Sequence, residues 1–175
     1  MARKTTRGGE VDDELYTPLW LLQWFDDFGQ FDLDPCWSPF SWSEPRVTFD
    51  IHQDGFKTSW AGFRSAWVNF PYSGTGAWIE KCWRESDNML VVGLMPAKPG
   101  ETAWRKYVWG GQAKAVSFLP GRIQFDRPPG FNSTPGTFNS SLVFWGPDDS
   151  VARAVNSVRR LSKGHKHEPT WVQEI

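Results

Sequence analysis

The stretch SAWVNFPYSGTGAWIEKCWRES, residues 65–86, decides the fold. It opens on Ala66-Trp67-Val68, an apolar run that reads as a buried strand. Asn69-Phe70-Pro71-Tyr72 follows, then the small residues from Ser73 to Gly76. Beyond them Trp78, Ile79, Cys82 and Trp83 recur at helical spacing, which predicts a helix over 75–86. Next comes NMLVVGLMPA, residues 88–97, almost unbroken in its apolar character. Such a run marks a strand covered on both faces, as in a parallel sheet. Strand, turn, helix and buried strand in that order are the repeating unit of an α/β fold.

The flanks extend the pattern. Upstream, TPLWLLQWFDDF (17–28) predicts a helix with Thr17 as N-cap and Pro18 at its first position, its apolar face made by Leu21, Leu22 and Phe25. QFDLDP (30–35) predicts a short strand stopped by Pro35, and residues 36–46, broken by Pro39 and Pro45, predict a loop. Downstream, GETAWRKYVW (100–109) predicts a helix, and AKAVSFLPGRIQF (113–125) two strands turning at Pro120-Gly121. GFNSTPGTF is read as loop and SSLVFWG (140–146) as another buried strand. A final helix, capped by Asp148 or Asp149, carries Val151, Val155, Val158 and Leu161. The whole predicts a doubly wound, mostly parallel sheet with helices on both faces.

The bulk properties narrow the class. At 175 residues the chain suits one domain, and 39% hydrophobic with 22% charged residues describes a globular protein. The expected division is a flexible N-terminal arm over 1–15, a single domain over 16–162 and a basic tail over 163–175. No apolar run approaches the roughly 20 residues of a membrane span. The N-terminus carries Arg3, Lys4 and Arg7 but no apolar stretch, so it does not read as a secretory signal. Two separated cysteines, Cys36 and Cys82, and three histidines without clustering suggest neither a disulfide framework nor a zinc site. With a net charge of −1 there is no global basic field, yet RRLSKGHKH (159–167) is a local one, fit either for phosphate or simply for solvent. Of the 12 Trp and 13 Phe some must be core, the commoner use of such rings, and a chain this rich can also spare flat faces for stacking on bases.

In sheets of this kind ligands bind beyond the carboxyl ends of the strands. Three such ends carry chemistry: Asp34-Pro35-Cys36, Asn69 to Tyr72, and Met95-Pro96-Ala97. An amide oxygen on Asn69 and the Phe70 carbonyl, held rigid by Pro71, can accept the two hydrogens of a planar amine, while Tyr72 stacks on the ring that bears it. The Phe70 ring either lines that pocket or packs beneath the sheet. Asp34 either begins a turn with Pro35 or meets a cation.

Asn69-Phe70-Pro71-Tyr72 resembles the (Asn/Asp)-Pro-Pro-(Tyr/Phe) signature of S-adenosylmethionine-dependent amino-group methyltransferases, with Phe70 in place of the first proline. Taken with TPLWLL, LDPCWSPF, DGF (54–56), VVGLMPAKPGETAW, FLPGRIQF and SSLVFW, in this order and spacing, residues 16–146 resemble the phage-type DNA N6-adenine methyltransferase family. The resemblance implies a Rossmann-like class I methyltransferase that moves a methyl group from S-adenosylmethionine to the N6 amine of an adenine flipped out of DNA. It implies Asn69, Phe70, Pro71 and Tyr72 as the catalytic set, and Thr17, Pro18, Asp34, Pro35, Cys36, Asp50, Asp54 and Asn69 around the cofactor. Asp54-Gly55 also reads as a plain turn. Lys98, Arg105, Lys106, Arg122 and Arg127 are the DNA-facing cations, with Arg122 suited either to a guanine edge or to an ion pair on a strand. The implied protein is cytoplasmic, encoded by a phage or prophage, a monomer or homodimer, and without membrane or metal. Cytosine N4, an RNA adenine or a small molecule suits the same clamp. A catalytically silent nucleic-acid-binding module also fits, because DPCWSPFS lacks the glycine that lets a backbone approach a cofactor closely.

Overall fold

The computed structural model of the chain describes residues 15–130 and 134–173. Its centre is a seven-stranded sheet. The first four strands are β1 (Leu33–Asp34), β2 (Val47–Thr48), β3 (Ser65–Val68) and β4 (Leu90–Pro96). Next in sequence come β5 (Ala115–Phe118), β6 (Gln124–Phe125), β7 (Thr134–Pro135), β8 (Ser140–Trp145) and β9 (Thr170–Gln173). The order across the sheet is β2-β1-β3-β4-β8-β5-β9. Strands β2, β1, β3 and β4 pair in parallel. Strand β8 inserts antiparallel between β4 and β5, and β9 runs antiparallel to β5. Strands β1 to β5 therefore point one way and only β8 and β9 the other, a mixed α/β sheet consistent with a class I methyltransferase fold.

Every residue of β3, β4 and β8 is buried, because both faces are covered. Side chains alternate between two cores, as the pleat requires. Trp67, Val92, Leu94, Leu142 and Phe144 meet Leu21, Trp24, Phe25, Val151, Val155 and Val158 on one face. Ala66, Val68, Val91, Met95, Val143 and Trp145 meet Ile79, Cys82, Trp104 and Tyr107 on the other. The first layer is helix α1 (Leu19–Leu22), a 3₁₀ turn over Gln23–Phe25, and α4 (Asp148–Leu161). The second is α2 (Thr75–Glu85) and α3 (Thr102–Tyr107). Ser157 ties the first layer together, donating to the Trp24 carbonyl at 2.8 Å and accepting from the Phe28 N–H at 3.2 Å. None of these helices is long and apolar enough to cross a membrane, among the described residues.

Four readings change. The helix expected from Thr17 starts at Leu19, with Pro18 in the cap position and no side-chain cap bond. It tightens to 3₁₀ after one turn and closes on Gly29. The strands expected to turn back on each other at Pro120-Gly121 do not pair. Both edges of β5 are already taken, by β8 and β9, so β6 leaves the sheet and pairs with β7. Asp148 and Asp149 lie in the first turn of α4, where carboxylates favour the helix dipole, while Pro147 holds the cap position. Finally, the segment 163–175 is not all tail: β9 closes the sheet, with Trp171 packed on Phe144 at 5.8 Å between ring centres. The arm with Arg3, Lys4 and Arg7 lies outside the described residues.

Gly146 joins β8 to α4 at φ 122°, and a Cβ there would stand 2.3 Å from the Met89 carbonyl oxygen. Gly146→Ala combines a disallowed dihedral with overpacking and is expected to destabilise the fold by about 2–4 kcal/mol. A urea titration that leaves the unfolding midpoint unmoved would contradict this.

Candidate active site

Because β1 to β4 are parallel, their carboxyl ends share one edge, and the chain reverses there after Asp34, Thr48, Val68 and Pro96. A cavity of about 650 Å³ opens at that edge, within the roughly 300–1,000 Å³ typical of small-molecule sites. Thr17, Asp34, Pro35, Cys36, Asp50, Asp54, Asn69 and Pro71 all line it. Pro18 is buried behind the wall, and neither Phe70 nor Tyr72 reaches it.

Asp34 is 3% exposed. One carboxylate oxygen accepts the Cys36 N–H at 2.9 Å and the other accepts the Ser43 hydroxyl. These two bonds do not replace lost water, so burial pushes the carboxyl up to about 6. Asp34 thus begins a turn and also faces the cavity. Burial, reinforced by the neighbouring Asp34 charge, holds the Cys36 thiol well above its usual range, so it meets the cavity as a neutral wall.

The opposite wall is the loop after β2. Asp50 lies two residues beyond β2 and accepts the His52 N–H at 2.8 Å. Asp54 sits at φ 48° and pairs with Lys57 at 2.8 Å, which lowers its pKa. Gly55 is the residue that decides this wall. A Cβ there would stand 2.0 Å from the Pro35 carbonyl oxygen, and the Gly55 carbonyl accepts the Trp60 indole N–H at 2.9 Å. The two walls therefore meet backbone to backbone, with the Trp37 N–H also donating to the Phe49 carbonyl at 3.2 Å. Phe49, Ile51, Phe56 and Trp78 complete the apolar lining. Ile51, 88% exposed, carries no periodic signal in the sequence, and although Trp78 stands out there by its helical spacing and Phe56 within DGF, nothing marks these four as one lining.

Asn69 is fixed by a contact 54 residues away in sequence: its Nδ2 donates to the Leu15 carbonyl at 2.8 Å. With the nitrogen so engaged, Oδ1 is the end of the amide turned elsewhere. The Leu15–Thr17 segment is itself held by a two-way backbone pairing of Tyr16 with Asp126, both bonds at 2.9 Å. The Asp126 carboxylate accepts the Trp42 indole N–H at 2.8 Å. Sequence patterning has no access to such partners.

Phe70 is 2% exposed and its ring lies 5.8 Å from Trp78 at an interplanar angle of 5°. In an extended chain neighbours face opposite ways, so Asn69 and Pro71 turn to the cavity and Phe70 to the core. Its ring packs beneath the sheet, and only its carbonyl stands in the turn. Tyr72 is half-buried, edge-on to Phe125 at 6.1 Å and 85°, with its hydroxyl sunk beside Ser140 and its pKa raised by burial.

The cations divide. Lys98, Arg122 and Arg127 stand in the connections that follow β4, β5 and β6. Lys98 pairs with Glu101 at 3.1 Å and lies 4.4 Å from the Phe138 ring centre. Arg122 is exposed and Arg127 half-buried. Arg105 and Lys106 belong to α3, in the layer with α2, and Lys106 lies over the Tyr107 ring at 4.7 Å.

Against this geometry, residues 4–166 match the model of the family described as DNA N-6-adenine-methyltransferase (Dam). The chain belongs to that family. No curated protein matches it. Dam-family enzymes methylate adenine N6 in DNA and use S-adenosylmethionine. The family therefore selects adenine N6 among the amines that an amide clamp could hold, and catalysis over a silent binding module.

Gly55→Ala is expected to drive the 49–56 loop away from Pro35 and weaken S-adenosylmethionine binding by about 5- to 150-fold, by analogy with overpacked sites that shift by about 1–3 kcal/mol. Calorimetry on the folded variant checks it, and an unchanged affinity would show that this wall does not touch the cofactor.

Proposed function

We propose that this Dam-family chain binds its cofactor in the cavity between Asp34 and the 49–56 loop and holds the target adenine at Asn69 to Tyr72. The observation that carries this reading is that a buried carboxyl and a tethered amide, from different strands, line one cavity of about 650 Å³. The wall suits S-adenosylmethionine: Asp34 offers a carboxylate to its ammonium. Asp50, at the tip of β2, and Asp54 offer acceptors to its ribose hydroxyls and adenine amine, and Phe49, Ile51, Phe56 and Trp78 offer apolar surface to its base. When bound, the cofactor supplies a methyl group already activated on a sulfonium. The chain's own residues then have to place an amine, not to generate a strong nucleophile.

Asn69 Oδ1 and the Phe70 carbonyl accept the two N6 hydrogens of the extruded adenine. Both acceptors face the charge that builds as the nitrogen becomes tetrahedral, and both are fixed beforehand, one by Leu15 and the other by Pro71. No residue need act as a strong base, since the surplus proton leaves to water after transfer. Extruding the adenine costs a few kcal/mol, and stacking on the immobilised Tyr72 ring returns about 1–3 kcal/mol. Every group in this scheme comes from one copy of the chain, which works where its DNA lies, inside the cell.

Asn69→Ala should lower the methylation rate by about 10²–10³-fold, the usual effect of deleting one preorganised polar contact to developing charge, while cofactor affinity holds. Liquid chromatography of digested DNA measures it; N6-methyladenine at the parental rate would remove Asn69 from the chemistry.

Cofactor affinity should also depend on pH. In the free protein the Asp34 carboxyl sits at about 6, and only its ionised form attracts an ammonium. Affinity is then full above about pH 7 and falls by up to tenfold per unit below 6, because binding must first release the proton. Asp34→Asn should be weak and flat across the same range. A parent protein that binds equally well at pH 5 and 7.5 would exclude Asp34 as the partner.

A further inference from the structure

We propose that the folded turn after α4, residues 162–169, forms with Arg122 a second DNA contact that grips duplex phosphates flanking the target base. The proposal rests on the reading of Asn69 as the site of the extruded adenine. It follows from where the topology delivers the sequence RRLSKGHKH. Strand β8 runs against β4, so α4 must return toward the carboxyl ends of the parallel strands, and its last turn arrives at the catalytic edge. Two contacts fix that arrival. His167 Nδ1 lies 2.7 Å from the Pro120 carbonyl oxygen, just past the carboxyl end of β5. Trp20, three residues beyond the Thr17 of the cavity wall, stacks on His165 at 4.6 Å and on His167 at 5.3 Å.

The segment is therefore a built surface. Its backbone closes on itself through His165 N–H to the Ser162 carbonyl at 2.9 Å and Glu168 N–H to the His165 carbonyl at 2.8 Å. The acid it contains, Glu168, is occupied by the Gly164 N–H at 2.8 Å. Lys163, Lys166 and Arg122 project into solvent, and none has a carboxylate partner among the described residues. Elsewhere Lys57, Lys81, Lys98 and Lys114 are each neutralised by one. Unneutralised cations gathered on a rigid support are what a polyanion recognises without reading sequence.

The spacing suits a duplex. From β3, which leads to Asn69, to β5, which leads to Pro120, the sheet takes three steps, or roughly 14 Å at about 4.8 Å per strand. That is close to 4 base pairs at about 3.4 Å each. A duplex whose adenine is extruded at Asn69 and which lies along the strand ends passes over this turn.

The test is the full-length chain carrying Lys163→Gln and Lys166→Gln, both exposed positions. Duplex binding is followed by fluorescence anisotropy as salt is raised. Each phosphate contact contributes about −0.9 to the slope of log affinity against log salt, so the variant's slope should be shallower by about 2. The parent should accordingly lose about tenfold more affinity than the variant between about 50 and about 200 mM salt. Methylation rate at saturating duplex and affinity for S-adenosylmethionine should match the parent. An identical slope in parent and variant would overturn the proposal. The reading of the active site is judged separately, on Asn69→Ala, which keeps the basic turn and should retain the parental slope; a parental slope with parental activity there sinks the clamp and leaves the turn standing.

Discussion

Covering a sheet on both faces leaves only the strand ends for polar chemistry. Everything functional in this molecule follows from that constraint. With β3, β4 and β8 buried along their whole length, the side chains in their middles are withdrawn from solvent. The carboxyl ends of the parallel strands are where the chain turns out of the core, and Asp34, Asp50 and Asn69 all stand there. The same burial that excludes water from the sheet leaves the Asp34 carboxyl poorly solvated and raises its affinity for a proton. A carboxylate held in that condition gains most from a cation brought to it.

The two walls of the cavity depend on one another. The loop after β1 has no glycine, and it meets the facing wall through the Trp37 N–H on the Phe49 carbonyl at 3.2 Å. Gly55 closes in from the other side, lying so close on the Pro35 carbonyl that a side chain would clash there. The Trp60 indole holds Gly55 in place through its carbonyl. The two strand-end loops are thereby packed backbone on backbone, and neither wall can shift without the other.

A second dependence runs through the N-terminal segment. Leu15 to Thr17 bridge the cavity edge to Asp126, and the Leu15 carbonyl sets the Asn69 amide. Asp126 also receives the Trp42 indole, and the next residue, Ser43, donates to Asp34. The amide and the carboxyl are therefore oriented from a common support beside the β6–β7 ribbon. Phe70 departs from the family's double proline without disturbing this, because its own ring is buried, stacked on the cavity-lining Trp78, and its backbone stays in the turn.

The sequence by itself determined the central strands, the longer helices and the strand-end residues proposed to carry the chemistry. Apolar runs such as Leu90–Pro96 and helical spacing such as Trp78, Ile79, Cys82 and Trp83 are local signals, and local signals survive without a third dimension. It also disclosed the Asn69–Tyr72 motif, since four consecutive residues need no tertiary contact to be recognised. What it could not disclose is anything held by partners distant along the chain. The two-residue strand β2 exists only because β1 lies beside it, and β9 only because β5 has a vacant edge. The separation of β6 from β5 follows from β9 taking that edge. The direction of the Phe70 ring, the tether on Asn69, the approach of Gly55 to Pro35 and the delivery of the basic turn to the catalytic edge are likewise set by long-range packing. Their physical cause is the same in each case: a backbone group or side chain finds its partner in another element, and no periodicity along the chain records which one.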